Sequence, residues 1–314
     1  MPRRPLLILI ACVAIVRPVA AQRTEPLPAI DSAAMWGAFT ALAADSMEGR
    51  RTGARGGTAA RALLIRRLEQ AGLRPLGASF EHRFPVAGRD SSVREGINVL
   101  AYLPGADTSR VLVVSAHYDH VGVRSGAIYN GADDNASGTA ALLAIAASFV
   151  AHPPRHSIVF AFFDGEEMGL LGARAFVGAP SVPLERIAAN VNLDMIARLD
   201  KNELYAAGAA PWPFFRPLLE ATAMQAPVTL RLGHDTDEKG PGENWTRQSD
   251  QGAFHAQGIP WVYFGVEDHP DYHRATDDAD KVNPGRYIGA VRTIADFVRR
   301  LDASLDAVVP PRTR

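Results

Sequence analysis

The sequence predicts a single-domain α/β fold: a three-layer α/β/α sandwich around a mostly parallel, mixed central sheet. Two observations predict it. Short, continuously apolar runs, such as Val111-Leu112-Val113-Val114 and Ile158 to Phe163, have the pattern of strands buried on both faces. From residue 110 onward such runs alternate with segments of helical length, which implies parallel strands joined by crossover helices. With 314 residues, 47% hydrophobic and 21% charged, the chain can fill one large core or two modest ones. It shows no internal repeat and no linker-like stretch that would favour two.

In order, the first element is a leader. Arg3 and Arg4 precede an apolar stretch, Leu6 to Val16, and Val19-Ala20-Ala21 has the small residues of a cleavage site. Residues 1–21 read as a secretory signal peptide, so the protein is expected to be exported, to a periplasm or the exterior. Leu9-Ile10-Ala11-Cys12 also resembles a lipobox, a second reading that leaves a lipid anchor at Cys12. Cys12 is the only cysteine, so the mature chain is expected to have neither disulfide nor thiol chemistry. The net charge of −1, more negative by three arginines once the leader is gone, gives no footprint for a nucleic-acid partner. No later stretch reads as a membrane span.

The folded body is expected over residues 22–308, with a tail at 309–314. Asp31 to Ala44 reads as a helix capped by Asp31 or Ser32. Asp45 to Gly57, rich in Gly, Arg and Ser, reads as a loop. Thr58 to Ala71 is a helix stopped by Gly72. Asn98 to Leu103 and Arg110 to Ser115 are strands. Ser137 to Val150 is a helix, Ile158 to Phe163 a strand, Leu170 to Phe176 a helix and Ala189 to Leu193 a strand. Trp212 to Met224 is a helix and Pro260 to Val266 a strand. Pro284 to Leu301 closes the fold as an amphipathic helix, with Ile288, Val291, Ala295, Val298 and Leu301 on one face. Arg231 to Arg247 is the one long polar stretch, a surface loop near a site.

Ionisable residues fall just past the ends of the buried strands. His117 and Asp119 follow the strand ending at Ser115. Asp133 and Asp134 lie in an acidic turn leading into a helix. Glu166 and Glu167 follow Phe163, Asp194 follows Leu193, and His273 follows the last strand. Alone, each has an ordinary reading: a cap, an Asx turn, a solvated acid or histidine. Together, five segments deliver ionisable groups to the carboxyl edge of an open α/β sheet, where ligands bind. Imidazole and carboxylate without thiolate suit zinc. So many acids need more than one divalent ion to balance them, which favours a pair about 3.5–4 Å apart.

These motifs, His117-x-Asp119, Gly-Ala-Asp-Asp-Asn-Ala-Ser-Gly at 131–138, Asp-Gly-Glu-Glu-Met-Gly at 164–169, Asn192-Leu193-Asp194-Met195 and Tyr272-His273, resemble the M28 family of zinc aminopeptidases in order and spacing. Flanking stretches, Glu48 to Gly53, Ser249-Asp250 and Gly258-Ile259-Pro260, look like that family too. The resemblance implies a zinc-exopeptidase-like fold and two Zn(2+) ions per chain. It implies that Asp134, rather than its rival Asp133, bridges the ions. His117 and Asp194 would complete one site, and Glu167 and His273 the other. Asp119 would accept the free N–H of His117, and Glu166 would be the general base of peptide hydrolysis.

The expected function is removal of N-terminal residues from peptides with a free N-terminus. A single-zinc glutaminyl-peptide cyclotransferase and a carboxypeptidase of the same fold are alternatives. The full donor set argues against the first. The second needs a basic cluster beyond Arg198 and Arg274. A non-catalytic receptor-like ectodomain would be expected to have lost donors.

Overall fold

The structure is a computed structural model that describes residues 30–87, 93–238 and 240–311. The leader, Cys12 and residues 312–314 of the tail lie outside the described residues.

Helix α1 (Ser32–Leu42) starts at Asp31, whose side chain accepts the Ala34 N–H at 2.9 Å. The stretch read as a loop up to Gly57 differs: a 3-10 turn covers Asp45–Arg50, and α2 (Arg55–Gln70) already includes two glycines. Both are needed for close approach, because a Cβ at Gly56 would meet the Met47 carbonyl oxygen at 1.8 Å, and one at Gly57 the Arg51 oxygen at 2.5 Å. The remaining helices are α3 (Gly138–Ala151), α4 (Leu171–Gly178), α5 (Arg216–Ala223), α6 (Gln251–Ala256) and α7 (Pro284–Val308). The segment 132–151 is apolar and long enough to cross a membrane, contrary to the sequence expectation, but 78% of its apolar window is buried in the fold. It is a core helix.

The strands are β1 (Arg74–Pro75), β2 (Glu81–Ala87), β3 (Val93–Leu103), β4 (Asp107–His117), β5 (Gly122–Arg124), β6 (Ala127–Tyr129), β7 (His156–Phe163), β8 (Ile187–Leu193), β9 (Glu203–Ala207), β10 (Thr229–Leu232) and β11 (Trp261–Gly265). Among the described residues, nine of them form one sheet in the order β1-β3-β7-β4-β8-β11-β9-β10, with β2 pairing with β3; β5 and β6 form a separate hairpin. The four central strands, β7, β4, β8 and β11, are parallel. Antiparallel pairs, β3 with β7 and β9 with β11, flank them. The parallel character is thus confined to the centre and to the outlying β9–β10 pair.

The central strands are apolar throughout because both faces are covered. On β7, Ile158, Phe160 and Phe162 join the core under α1, α2, α3 and α7. Val159, Ala161 and Phe163 face the opposite way, onto Phe176 of α4 and Phe254 of α6. The two-residue period of a strand divides the run between the two cores. Because β4, β7, β8 and β11 run the same way, their carboxyl ends share one edge of the sheet.

Candidate metal centre

At that edge β4 ends on His117, in register with Phe163 at the end of β7. β8 ends on Leu193, one residue before Asp194. The chain leaving β4 stays inside: Tyr118, Asp119 and His120 are all buried. The acidic turn at 132–137 starts from Gly131, with φ +55°, where a Cβ would come within 2.1 Å of the Asp134 carbonyl oxygen. After β7, left-handed Gly165 and Gly169 bracket a single 3-10 turn, Glu166–Met168, so neighbouring glutamates leave in different directions.

The five residues expected as metal ligands come together. The Asp134 carboxylate divides between two donor groups. Its Oδ1 lies 3.4 Å from His117 Nε2, which is itself 3.2 Å from Asp194 Oδ1. Its Oδ2 lies 3.0 Å from His273 Nε2, which is 3.2 Å from Glu167 Oε2. His120 joins the second group, with Nδ1 2.7 Å from Glu167 Oε1 and 3.6 Å from Asp134 Oδ2. In each group the donor atoms all lie within 4.8 Å of one another. Asp133, the rival, is turned away: its carboxylate accepts the main-chain N–H groups of Ala197 and Arg198 and faces His269 Nε2 at 3.2 Å.

The expected partner of His117 is corrected. Its Nδ1 lies 3.1 Å from the main-chain oxygen of Asp119 and 3.7 Å from the carboxylate. A carbonyl only accepts, so Nδ1 carries a proton, and Nε2 is the ring atom aimed at Asp134 and Asp194. The Asp119 carboxylate instead accepts the main-chain N–H of Glu166 at 3.1 Å, that of Glu167 at 3.4 Å and the Thr52 hydroxyl at 3.3 Å. The two-residue spacing puts Asp119 beside the site, but the turn after His117 brings its main chain closer to the ring than its side chain.

Other braces were not assigned from the sequence. Fully buried Arg50 donates to the carbonyls of Leu42, Tyr118, Asn130 and Gly131 at 2.6–2.9 Å. Burial lowers its pKa to about 10, so it is charged at neutral pH. Asp277 accepts the N–H groups of Asp133 and Asp134 at 3.0–3.1 Å. Tyr263 donates its hydroxyl to the Asp194 carbonyl at 3.1 Å. The signal for Arg50 and Thr52 lay in the Glu48–Gly53 stretch, which reads as part of a loop and as a family-like flank but gives its residues no role. Arg198 is held by Asp271 at 2.7 Å and Asp200 at 3.2 Å.

Burial pushes the Glu166 carboxyl well above the usual range, and Asp194 and Asp250 add to the shift against the pull of His117. Burial and then Glu167 raise Asp134. Burial also opposes ionisation of Glu167, yet the imidazoles of His120 and His273 hold it well below the usual range. Contacts with Asp134 and Glu167 raise His273 to about 10. Acids forced upward by one another, and imidazoles drawn upward by acids, mark a site short of positive charge. The donor set, imidazole and carboxylate with buried orphaned atoms at His120 and Glu167 Oε1, fits zinc.

A third cluster, Asp107, His156 and Asp306, does not fit a metal. His156 is engaged by Asp302 and Asp306 at 3.0–3.2 Å, and Asp306 pairs with Arg110 and Arg155.

Residues 98–298 match the profile of peptidase family M28. The chain is 30% identical over 199 residues to leupeptin-inactivating enzyme 1 of Streptomyces exfoliatus, covering 61% of this chain and 40% of the relative. It is 30% identical over 190 residues to aminopeptidase YwaD of Bacillus subtilis, covering 56% and 38%. It spans less than half the length of these curated relatives. Its fold superposes on BSAP, a zinc aminopeptidase from Bacillus subtilis, with a TM-score of 0.73 at 16% identity, covering 88% of this chain and 96% of that one. It superposes on a Bacteroides thetaiotaomicron glutaminyl cyclase with a TM-score of 0.69 at 15% identity, covering 87% and 99%.

Proposed function

The chain belongs to peptidase family M28, and from that premise we propose that it is an exported two-zinc metalloaminopeptidase. The observation that carries this reading is the split Asp134 carboxylate, with one oxygen toward His117 and Asp194 and the other toward Glu167 and His273. Such a carboxylate suits a bridge between two ions. His117 and Asp194 would hold one zinc and Glu167 and His273 the other. When bound, the pair supplies Lewis-acid polarisation and a water of lowered pKa.

Glu166 belongs to neither donor group; its nearest approach to His117 Nε2 is 4.0 Å. Its raised affinity for a proton suits a general base that takes a proton from the attacking water and gives it to the leaving amine. Asp119 holds the Glu166 turn in place through the main chain. No nucleophilic serine or cysteine is required. Export rests on the leader at 1–21, ahead of the peptidase domain at 22–308 and the tail at 309–314.

Arg198, the nearest candidate for a substrate carboxylate, is already paired with two aspartates, which speaks against carboxypeptidase action. The fold itself is shared with a glutaminyl cyclase, so the reaction needs its own test. The mature protein is expected to carry about two zinc ions and to cleave aminoacyl anilides with a free amine but not their N-acetylated forms. Equal cleavage of both forms would refute aminopeptidase action. Cyclisation of glutaminyl peptides without hydrolysis would favour the cyclotransferase.

A further inference from the structure

The second donor group has one member more than the ligand set assigned above. We infer that His120 is itself a metal ligand, the fourth protein ligand of the group formed with Asp134, Glu167 and His273. The two metal positions are then unequal. One is enclosed by four side chains; the other, held by His117, Asp134 and Asp194, keeps an open place. This rests on the metallohydrolase reading and deepens it.

Placement comes first. The His120 ring is buried, and its Nδ1 stands 2.7 Å from Glu167 Oε1 and 3.6 Å from Asp134 Oδ2. Its ring centroid is 5.8 Å from that of His273. The donor atoms of all four side chains lie within 4.8 Å of one another. Packing fixes the ring's attitude, since a Cβ on Gly131 would come within 2.4 Å of its Cδ2.

Orientation is the stronger argument. Among the described residues, neither ring nitrogen of His120 has a hydrogen-bond partner, and neither has Glu167 Oε1. The two atoms are 2.7 Å apart but are not aligned as a hydrogen bond. Buried polar atoms without aligned partners are costly. A cation between them removes that penalty. Imidazole nitrogen and carboxylate oxygen, each about 2.0–2.2 Å from one zinc, sit roughly 3 Å apart.

The neighbouring histidines behave differently. His117 is oriented by a main-chain carbonyl on its far nitrogen, and His269 faces Asp133, which is not in a donor group. A residue that merely orients Glu167 would donate a well-aligned hydrogen bond to it, and His120 does not.

A closed four-ligand site and an open three-ligand site have different work to do. Structural zinc positions are closed, and catalytic ones keep a free place. The group containing His120 is accordingly the tighter position, filled first as zinc is added.

The test uses the mature, zinc-loaded protein and zinc-edge X-ray absorption. If His120 is a ligand, three imidazoles are shared between two zinc ions; if it is not, two are. This measurement needs no variant, so it stands even if a substitution disturbs folding. His120→Ala and His120→Gln, checked for folding by circular dichroism, are then titrated with zinc against a chromophoric chelator. One zinc is expected to bind more than about 100-fold more weakly, beyond the 10–100-fold typical of losing an outer hydrogen-bond partner. Two imidazoles in the native protein, or a loss within that smaller range, overturns the proposal. His273→Ala is the control for the underlying reading. If it keeps both zincs at native affinity, the metallohydrolase site itself is wrong. If it loses one zinc while His120→Ala does not, only the role of His120 fails.

Discussion

The main-chain N–H of Glu166 donates to Oδ1 of Asp119 across 3.1 Å. A carboxylate that does not belong to either donor group thereby sets where a different carboxylate stands. Asp119 also receives the N–H of Glu167 and the hydroxyl of Thr52. Replacing it with alanine leaves the two main-chain donors without an acceptor, while Thr52 keeps Asp164 Oδ1 at 2.7 Å. Asp119→Ala is expected to lower zinc affinity or kcat by about 10–100-fold. Chelator competition and steady-state kinetics on one preparation measure both; native values in each would show that the turn holds itself.

Glu166 is assigned to moving a proton and not to holding metal. Glu166→Gln keeps the shape and the main-chain contact with Asp119 but cannot accept a proton. It is expected to retain both zincs and lose roughly 10²–10⁴-fold in kcat, the usual worth of general acid–base catalysis. Metal analysis beside kinetics checks it. Full activity rules out the base assignment, and lost zinc would make Glu166 a ligand.

Arg50 neutralises no single partner; it gathers carbonyls from α1, the turn after β4 and the entry to the acidic turn. Arg50→Met removes four buried hydrogen bonds at once. A cost of about 3–5 kcal/mol in stability is expected. A urea melt of the metal-free protein reads it, and zinc affinity should fall in the same variant because the loops carrying Asp134 and His120 loosen.

Asp250 is buried, and among the described residues neither of its carboxylate oxygens has a hydrogen-bond partner. Burial, with Asp119 and Asp194 adding to it against His117, raises its pKa to about 8. A raised folded-state pKa on an acid means that ionisation opposes folding. The penalty is absent below the unfolded value near 4, grows as pH rises, and is complete above about 8. Asp250→Asn removes it. The metal-free variant is expected to melt a few degrees higher than the native chain at pH 9, with the difference shrinking toward pH 5. Calorimetry at both pH values decides, and an equal shift at both would exclude titration of Asp250 as the cause.

The centre of the fold was legible because its strands are apolar on both faces and its helices periodic. Strand direction was not, since an apolar run looks the same either way; hence the antiparallel β3 and β9 beside the parallel four. The flanking strands β9 and β10 were missed because they are short and only partly apolar, with Leu230 the one buried residue of β10 and polar or half-buried Glu203 and Tyr205 interrupting β9. The seven side chains singled out from the sequence all meet at one edge because strand ends are recognisable and share a direction. Arg50, Thr52 and Asp277 act through main-chain groups or through other side chains, and no spacing rule reveals such partners. His120 was visible only as a neighbour of His117 and Asp119; its inward turn depends on packing against Gly131.

Cys12, in the segment read as a leader, is the single cysteine of the sequence. Nothing covalent can tie one part of the folded body to another. The donor groups join residues that are far apart along the chain, from His117 to Asp194 and from His120 to His273. An ion in each position would act as a reversible crosslink, and crosslinks that close long loops restrict the unfolded chain most. Withdrawing zinc from such a protein would therefore resemble reduction of a disulfide-bonded one: the same stroke that silences chemistry releases the staples at the sheet's edge.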